Sequence, residues 1–332
     1  MKAMVQDRYG SPDVLRLRDV DTPTPGDDEV LVRVHASSVN AYDWHAMRGD
    51  PYLARLSFGL RRPRAAVRGQ DFAGRVEAVG AAVTRFRPGD EVYGEAGPAG
   101  GAFAEYLCVA ERLVEAKPAN LSFAQAAAVP LAATTALVCL GDAAELRAGQ
   151  HVLVNGASGG VGTFAVQLAK AYGAHVTAVC RTRNVELVRS LGADHVVDYT
   201  REDFTRTDAV RAGRRYDVLL DLVGNRSLTD CRRVLTRAGT LVLCGGGVST
   251  GGSLLGPLAL FIRARIVAGF VRQRIVAPMA TAGRGHLATL RDLVEAGTVT
   301  PVVDRTFRLS EVPDAIRYVE TEHARAKVVV TM

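Results

Sequence analysis

Apolar residues follow two different rhythms along this chain. Up to about residue 125 they alternate with polar ones over short stretches. Val30, Val32 and Val34 stand two apart, as in a strand with one buried face. Residues 75–80 and 91–94 read as further short strands ended by glycine or proline turns, and 22–26 is a loop. From about 150, short apolar runs alternate with helical stretches. Strands are predicted at 152–155, 175–180, 195–198, 217–222, 240–244 and 266–271. Asn184 stands at an N-cap position, and Gly192 lies just past the end of that helix. Six strands joined by helical crossovers predict an α/β fold with a doubly wound parallel sheet. The tail, 300–332, holds apolar strand-like segments at Val302-Val303, Phe307 and Lys327–Val330, with a helix over 311–320. It is expected to rejoin the first domain. The predicted division is therefore 1–125 completed by 299–332, and 126–298.

The most telling local pattern is the apolar run Val152-Leu153-Val154, then Asn155, then Gly156, Gly159 and Gly162 at intervals of three, followed by a helical stretch from Thr163 to Tyr172. Glycines at such a turn let backbone N–H groups approach a phosphate, and the helix start favours negative charge. Lying between a strand and a helix, the triplet predicts a dinucleotide site rather than a plain structural turn. The second strand then runs into Arg181-Thr182-Arg183-Asn184, with no carboxylate before Glu186. An NAD-binding site of this kind places an acidic residue there to hold the ribose hydroxyls. Two guanidiniums suit a 2′-phosphate instead, with Tyr199 at the end of the third strand within reach. The expected cofactor is NADPH; the competing reading has Arg181 and Arg183 simply facing solvent.

Composition narrows the class. The length of 332 residues predicts two domains, and 48% hydrophobic residues are ample for their cores. No apolar run reaches the ~18 residues of a membrane span, and no charged-then-apolar leader opens the chain. A soluble cytoplasmic protein without a membrane partner is expected. The five cysteines, Cys108, Cys139, Cys180, Cys231 and Cys244, are far apart, which argues against a disulfide framework or a zinc cage. The net charge is +6, carried by 37 arginines and four lysines. That charge is dispersed and accompanied by no aromatic-basic platform, so no nucleic-acid partner is expected.

The phrases Asn155–Gly162, Gln167–Lys170, Leu191–Asp194 and Asp221–Gly224 resemble the medium-chain dehydrogenase/reductase superfamily. So do Ser38–Trp44, Gly69–Gly74, Pro88–Val92 and Ala324–Val329. Taken together, the chain resembles the zinc-independent quinone oxidoreductase branch over its whole length. The resemblance implies a GroES-like β domain packed on a Rossmann domain, an active site in the cleft between them, and a homodimer. It also implies cofactor contacts from Thr135, from Ser158, Gly159, Gly160 and Val161, from Val223 and Gly224, and from Cys244 and Gly245. Gly246 and Gly247 would extend the last of these loops. Gly269, Phe270 and Val271 would lie beside the nicotinamide, with Lys327 near the cofactor. Zinc-dependent relatives place a cysteine near residue 40 and a His-Glu pair after a glycine. This chain has Asn40 and Gln70-Asp71 there, and amides are poor zinc ligands. No metal is expected. Without a Lewis acid to polarise an alcohol, hydride delivery to an electron-poor quinone or enone is the chemistry that remains.

Negative charge then develops on an acceptor oxygen and calls for a hydrogen-bond donor. Asn40, His45 and Tyr42 are the candidate catalytic residues, with water as an alternative proton source. Asn40 also reads as a loop cap, His45 as packing beside Trp44, and Cys244 as a small apolar filler. Residues 55–68 hold Arg55, Arg61, Arg62, Arg64 and Arg68 with no acid, which reads as a solvated loop or as a surface attracting acidic substrates such as an acyl-CoA. The glycine-rich run 245–252 is a candidate flap. Two alternatives stay open: an enoyl-thioester or biosynthetic tailoring reductase, and a nucleotide-bound redox-sensing or RNA-contacting protein without turnover.

Overall fold

The computed structural model describes residues 1–245, 254–256, 258–279, 283–321 and 325–332. It divides into two compact units, 1–134 with 281–332, and 135–280. The first is β-rich. A small hairpin pairs β1 (Lys2–Gln6) with β2 (Leu15–Asp19). The main sheet is built on the long strand β3 (Glu29–Val39), whose alternating valines bury Val30, Val32 and Val34. β4 (Asp71–Val79) pairs with it, followed outward by β5 (Glu91–Glu95) and β7 (Val114–Ala116), while β6 (Tyr106–Ala110) pairs with β3 from the other side of its length.

The second unit holds the strand-helix alternation. Strands β8 (His151–Asn155), β9 (His175–Cys180), β10 (His195–Asp198), β11 (Tyr216–Asp221), β12 (Leu235–Leu243) and β13 (Arg274–Val276) form one sheet in the order β10-β9-β8-β11-β12-β13. Every pairing in it is parallel. That order reverses direction beside β8, which creates the switch point where such sheets bind ligands. Its central strand β8 is buried on both faces; Val152, Leu153 and Val154 have no exposure. The first crossover helix, Gly160–Ala171, begins three residues earlier than the apolar periodicity predicts.

The sixth strand is a correction. Residues 266–268 end a helix, Leu258–Ala268, and Gly269 and Phe270 close it with backbone bonds to Ile266 and Val267. The true strand is Arg274–Val276. The segment from Leu258 to Ala268 is apolar nearly throughout, so periodicity could not separate strand from helix. What decides the matter is packing: Leu260, Phe261 and Ala264 seat on the core beneath β12.

The chain then returns to the first unit. The helix Arg284–Glu295 packs there, with the buried Tyr93 hydroxyl donating to the Leu287 carbonyl at 2.7 Å. The division thus falls near 134 and 281 rather than at 125 and 299. β14 (Val303–Arg308) and β15 (Lys327–Thr331) complete the main sheet, β15 running antiparallel to β3. Between them the amphipathic helix Val312–Thr321 buries Val312, Ala315 and Ile316 against Met4, Leu15 and Val328.

Candidate functional site

The candidate residues fall into two groups, one in each unit. In the second unit, Gly156 leaves β8 with φ +90°, a conformation that favours glycine. A Cβ on Gly162 would meet the Gly156 carbonyl at 2.2 Å, so helix and strand can approach only without a side chain there. Gly159 differs. Its φ is ordinary, and a Cβ would make only a normal 3.5 Å contact with Gly156 O. Protein packing does not demand a glycine at 159; an approaching ligand would. Gly159 is also the N-cap of the following helix and offers no side-chain cap, which leaves helix-start N–H groups for an anion.

The loops beside this turn are organised by a buried carboxylate. Asp221, at the end of β11, accepts from Asn155 Nδ2 at 2.9 Å and from the Val223 and Gly224 amides at 3.1 and 2.9 Å. Asn155 also donates to Asn225. Asn155 and Asp221 shape two of the expected contact segments, a task that nothing in their sequence motifs announces. Asn184 occupies the N-cap position expected of it but does not cap. Its amide donates instead to Ser158 Oγ at 2.9 Å, tying the second strand's end to the glycine turn.

Arg181, Thr182 and Arg183 are exposed where β9 ends, and Tyr199 is half exposed beside them, its amide bonded to the Cys180 carbonyl. The absence of a nearby carboxylate, true in chain order, does not hold in space. Asp198 on β10 lies opposite Cys180 and accepts from the Thr182 hydroxyl at 2.6 Å. It also accepts from the Thr200 amide and hydroxyl and faces Arg201. The Thr182 bond, first among these, holds its carboxyl below the usual carboxylate range. Asp198 is thus ionised and fully engaged. Thr135 is buried; Gly269, Phe270 and Val271 form the turn after the corrected helix, with Phe270 85% exposed. Of the candidate flap, 246–252 lie outside the described residues, as do Gly246 and Gly247 of the expected contacts.

In the first unit, the strands bring polar residues into a row across the sheet. Ser38 faces Asp71, Asp71 faces Glu95, and Val39 faces Val328 beside Lys327. Lys327 Nζ, only 2% exposed, donates to Asn40 Oδ1 at 2.5 Å and to Asp71 Oδ2 at 3.2 Å. The same Asp71 oxygen accepts from Asn40 Nδ2 at 2.9 Å and Ser38 Oγ at 2.6 Å, and its other oxygen from the Leu131 amide. Asn40 therefore spends its amide inside the protein, its second hydrogen facing the Ser38 carbonyl. Its backbone N–H donates to Asp43, which is buried and pushed up to about 7 by that burial. Burial likewise pushes Glu95 up to about 8.

His45 and Tyr42 share the helix Ala41–Arg48. The His45 ring stacks on Trp44, centroids 3.6 Å apart, and its Nδ1 lies 2.9 Å from the Asp50 carbonyl. A carbonyl only accepts, so Nδ1 carries the hydrogen. Burial lowers the imidazole pKa, which favours the neutral ring. Tyr42 is 37% exposed, packs edge-on against Phe58, and burial holds its hydroxyl protonated. Nor is 55–68 a uniform solvated loop. Arg55 sits over the Tyr9 and Tyr52 rings and donates to the Gly49 carbonyl, and Arg68 is buried against Gln6. Only Arg61, Arg62 and Arg64 of the five stay exposed. Among the described residues, no group of three or more His, Cys, Asp or Glu is arranged to hold a metal.

A six-stranded dinucleotide-type sheet with an open glycine turn, joined in sequence to a GroES-like sheet, defines the class. The profile described as an alcohol dehydrogenase GroES-like domain matches residues 26–119, and that of a zinc-binding dehydrogenase matches 191–330. The mitochondrial NAD(P)H oxidoreductase RTN4IP1 of Mus musculus is 35% identical over 100% of this chain and 89% of its own. A chloroplastic NADPH-dependent alkenal/one oxidoreductase of Arabidopsis thaliana is 37% identical over 99% of this chain and 79% of its own. The solved quinone oxidoreductase of Coxiella burnetii superposes with a TM-score of 0.86 at 32% identity, covering 100% of this chain and 99% of that one. The chain belongs to the medium-chain dehydrogenase/reductase superfamily, among the quinone and alkenal oxidoreductases.

Proposed function

We propose that this protein is an NADPH-dependent reductase that transfers a hydride to a quinone or an α,β-unsaturated carbonyl, without zinc. The observation that carries the cofactor reading is Gly159: a glycine that packing does not require, at an uncapped helix start on the sheet's switch point. The activities of the relatives, alkenal/one and quinone reduction, supply the acceptor class. When bound, the reduced nicotinamide supplies the hydride.

This chain's residues do the rest. The 156–162 turn receives the pyrophosphate, and Asp221 holds the Val223–Gly224 segment beside it. Arg181 and Arg183 grip the 2′-phosphate; the Asp198 carboxylate, ionised but paired with Arg201 and bonded to Thr182 and Thr200, offsets little of that attraction. In the first unit the Lys327 ammonium, held by Asn40 and Asp71, supplies positive field for the acceptor oxygen. Asn40 serves as the positioning residue of that ammonium. Tyr42 suits proton delivery better than His45, whose neutral ring has its N–H committed to Asp50. Zinc has little to recommend it at Asp71, a carboxylate already saturated by Lys327, Asn40, Ser38 and Leu131. The protein is proposed to act as a homodimer in the cytoplasm.

The test is a fluorescence titration with NADPH and NADH on the protein and on Arg181→Ala/Arg183→Ala. The double variant is expected to lose NADPH affinity while NADH affinity holds. Equal losses overturn the phosphate grip. A panel of a simple quinone, an alkenal and an enoyl-CoA, followed by loss of reduced-nicotinamide absorbance, then ranks the acceptors.

A further inference from the structure

The main sheet of the first unit carries two buried carboxyls side by side and one ammonium to serve them. Asp71 on β4 and Glu95 on β5 are direct partners in an antiparallel pair, so their side chains share a face. Asp71 has no exposure and Glu95 only 4%. The Lys327 ammonium lies 3.2 Å from Asp71 Oδ2, and that carboxylate also accepts from Ser38, Asn40 and Leu131. Glu95 has no such company. Among the described residues it makes no ion pair and no hydrogen bond to Asp71, and its Oε1 is buried without a hydrogen-bond partner. The pairing of β7 with β5 stops at Gly94, so no strand partner meets Glu95 on that side.

One positive charge does not neutralise two carboxylates in a low-dielectric interior, so the carboxyl without partners keeps its proton. Burial, and then the Asp71 charge, push Glu95 up to about 8, against the opposing pull of Lys327 and the Thr134 hydroxyl. A protonated carboxyl is a hydrogen-bond donor, which a carboxylate is not. Buried polar atoms are almost always paired, and an orphaned one marks a place that a bound group completes.

We propose that Glu95 is a further catalytic residue, whose carboxyl donates a hydrogen bond to the acceptor's carbonyl oxygen as the hydride arrives. This rests on the proposed function, which brings that oxygen under the field of Lys327, the ammonium paired with the same Asp71. Negative charge grows on the oxygen during transfer, and a donor fixed on a buried sheet stabilises it without reorganising. A carboxylic acid held neutral by its surroundings is suited to that task. It donates to the oxygen without competing for Asp71, as a second cation would. Glu95 keeps its proton throughout. Lys327 supplies the field, Glu95 the directed O–H, and Tyr42 the proton that completes the reduction.

Steady-state reduction of a simple quinone and an alkenal by NADPH, measured from pH 6 to pH 10 on the protein, Glu95→Leu and Glu95→Gln, tests this. Glu95→Leu is expected to lower kcat/KM about 100-fold or more, the loss typical of a deleted oxyanion donor, with NADPH affinity by fluorescence titration unchanged. Glu95→Gln keeps an N–H donor and should recover most of that loss. For the unsubstituted protein, kcat/KM should fall as pH rises through about 8, where Glu95 ionises, and Glu95→Gln should abolish that fall. Asp71 and Lys327, the charged groups facing Glu95, are retained in Glu95→Gln, so a fall that persists there belongs to them and overturns the proposal. So does an unchanged rate in Glu95→Leu, an equal loss in both variants, or a matching loss of NADPH affinity. Should Glu95→Leu fail to fold, the pH profile of Glu95→Gln decides alone. Failure of the unsubstituted protein to oxidise NADPH with any acceptor rejects the functional reading itself, and the role of Glu95 with it; a failure confined to the variant comparison rejects that role alone.

Discussion

At the scale of single residues, buried charge dominates. Lys327 and Asp71 have almost no exposure, and each is the other's counterion. Removing one partner of such a pair strands the other in a low-dielectric interior, which costs about 3–5 kcal/mol. Lys327→Met is therefore expected to lower unfolding free energy by that amount in urea, and a change under about 1 kcal/mol would contradict the ion-pair role. Glu95 carries the opposite lesson. Burial raises its carboxyl from 4.5 to about 8, so the folded protein holds a proton that the unfolded chain releases. Its contribution to stability is fully present below pH 4.5 and is lost as pH rises through about 8. Glu95→Gln should flatten the fall in thermal stability between those pH values; a parallel curve would count against the raised carboxyl. Neither effect was legible beforehand. Asn40 and Lys327 stand 287 residues apart in sequence, and their contact exists only because β15 pairs with β3.

At the scale of elements, the strand-glycine-helix unit was the clearest feature of the sequence, and the structure separates the duties of its glycines. Gly162→Ala puts a Cβ 2.2 Å from a carbonyl oxygen and is expected to destabilise the unit outright. Gly159→Ala meets only an ordinary 3.5 Å contact, so stability should hold while nucleotide affinity falls. Melting curves together with titration distinguish the two. Equal melting losses would mean that both glycines serve packing alone. The same scale shows where periodicity fails. Leu258–Ala268 is apolar on nearly every side, so a strand at 266–271 and a helix ending at 268 were equally readable, and contact with the core decided between them. Asn184 shows the limit for caps: sequence placed it at the helix start, but Ser158 across the turn took its amide.

At the scale of the whole molecule, the family reading predicts reduction that needs no metal. Incubation with a strong chelator should leave turnover of a quinone unchanged, and a loss restored by zinc would overturn the zinc-free proposal. Among the described residues, no helix is long and apolar enough to cross a membrane. The sequence alone determined the two rhythms, hence a β-rich unit and a parallel strand-helix unit, because burial on one face or both writes itself into residue order. It also determined the glycine turn between β8 and the helix that follows, since glycine spacing is a backbone property carried by adjacent residues. Tertiary structure alone decided which polar groups meet. Asp198 reaches Thr182, and Lys327 reaches Asn40, through pairings of distant segments. Local patterning records how each segment is buried; electrostatics depends on distances between segments, and those are set only when the sheets assemble.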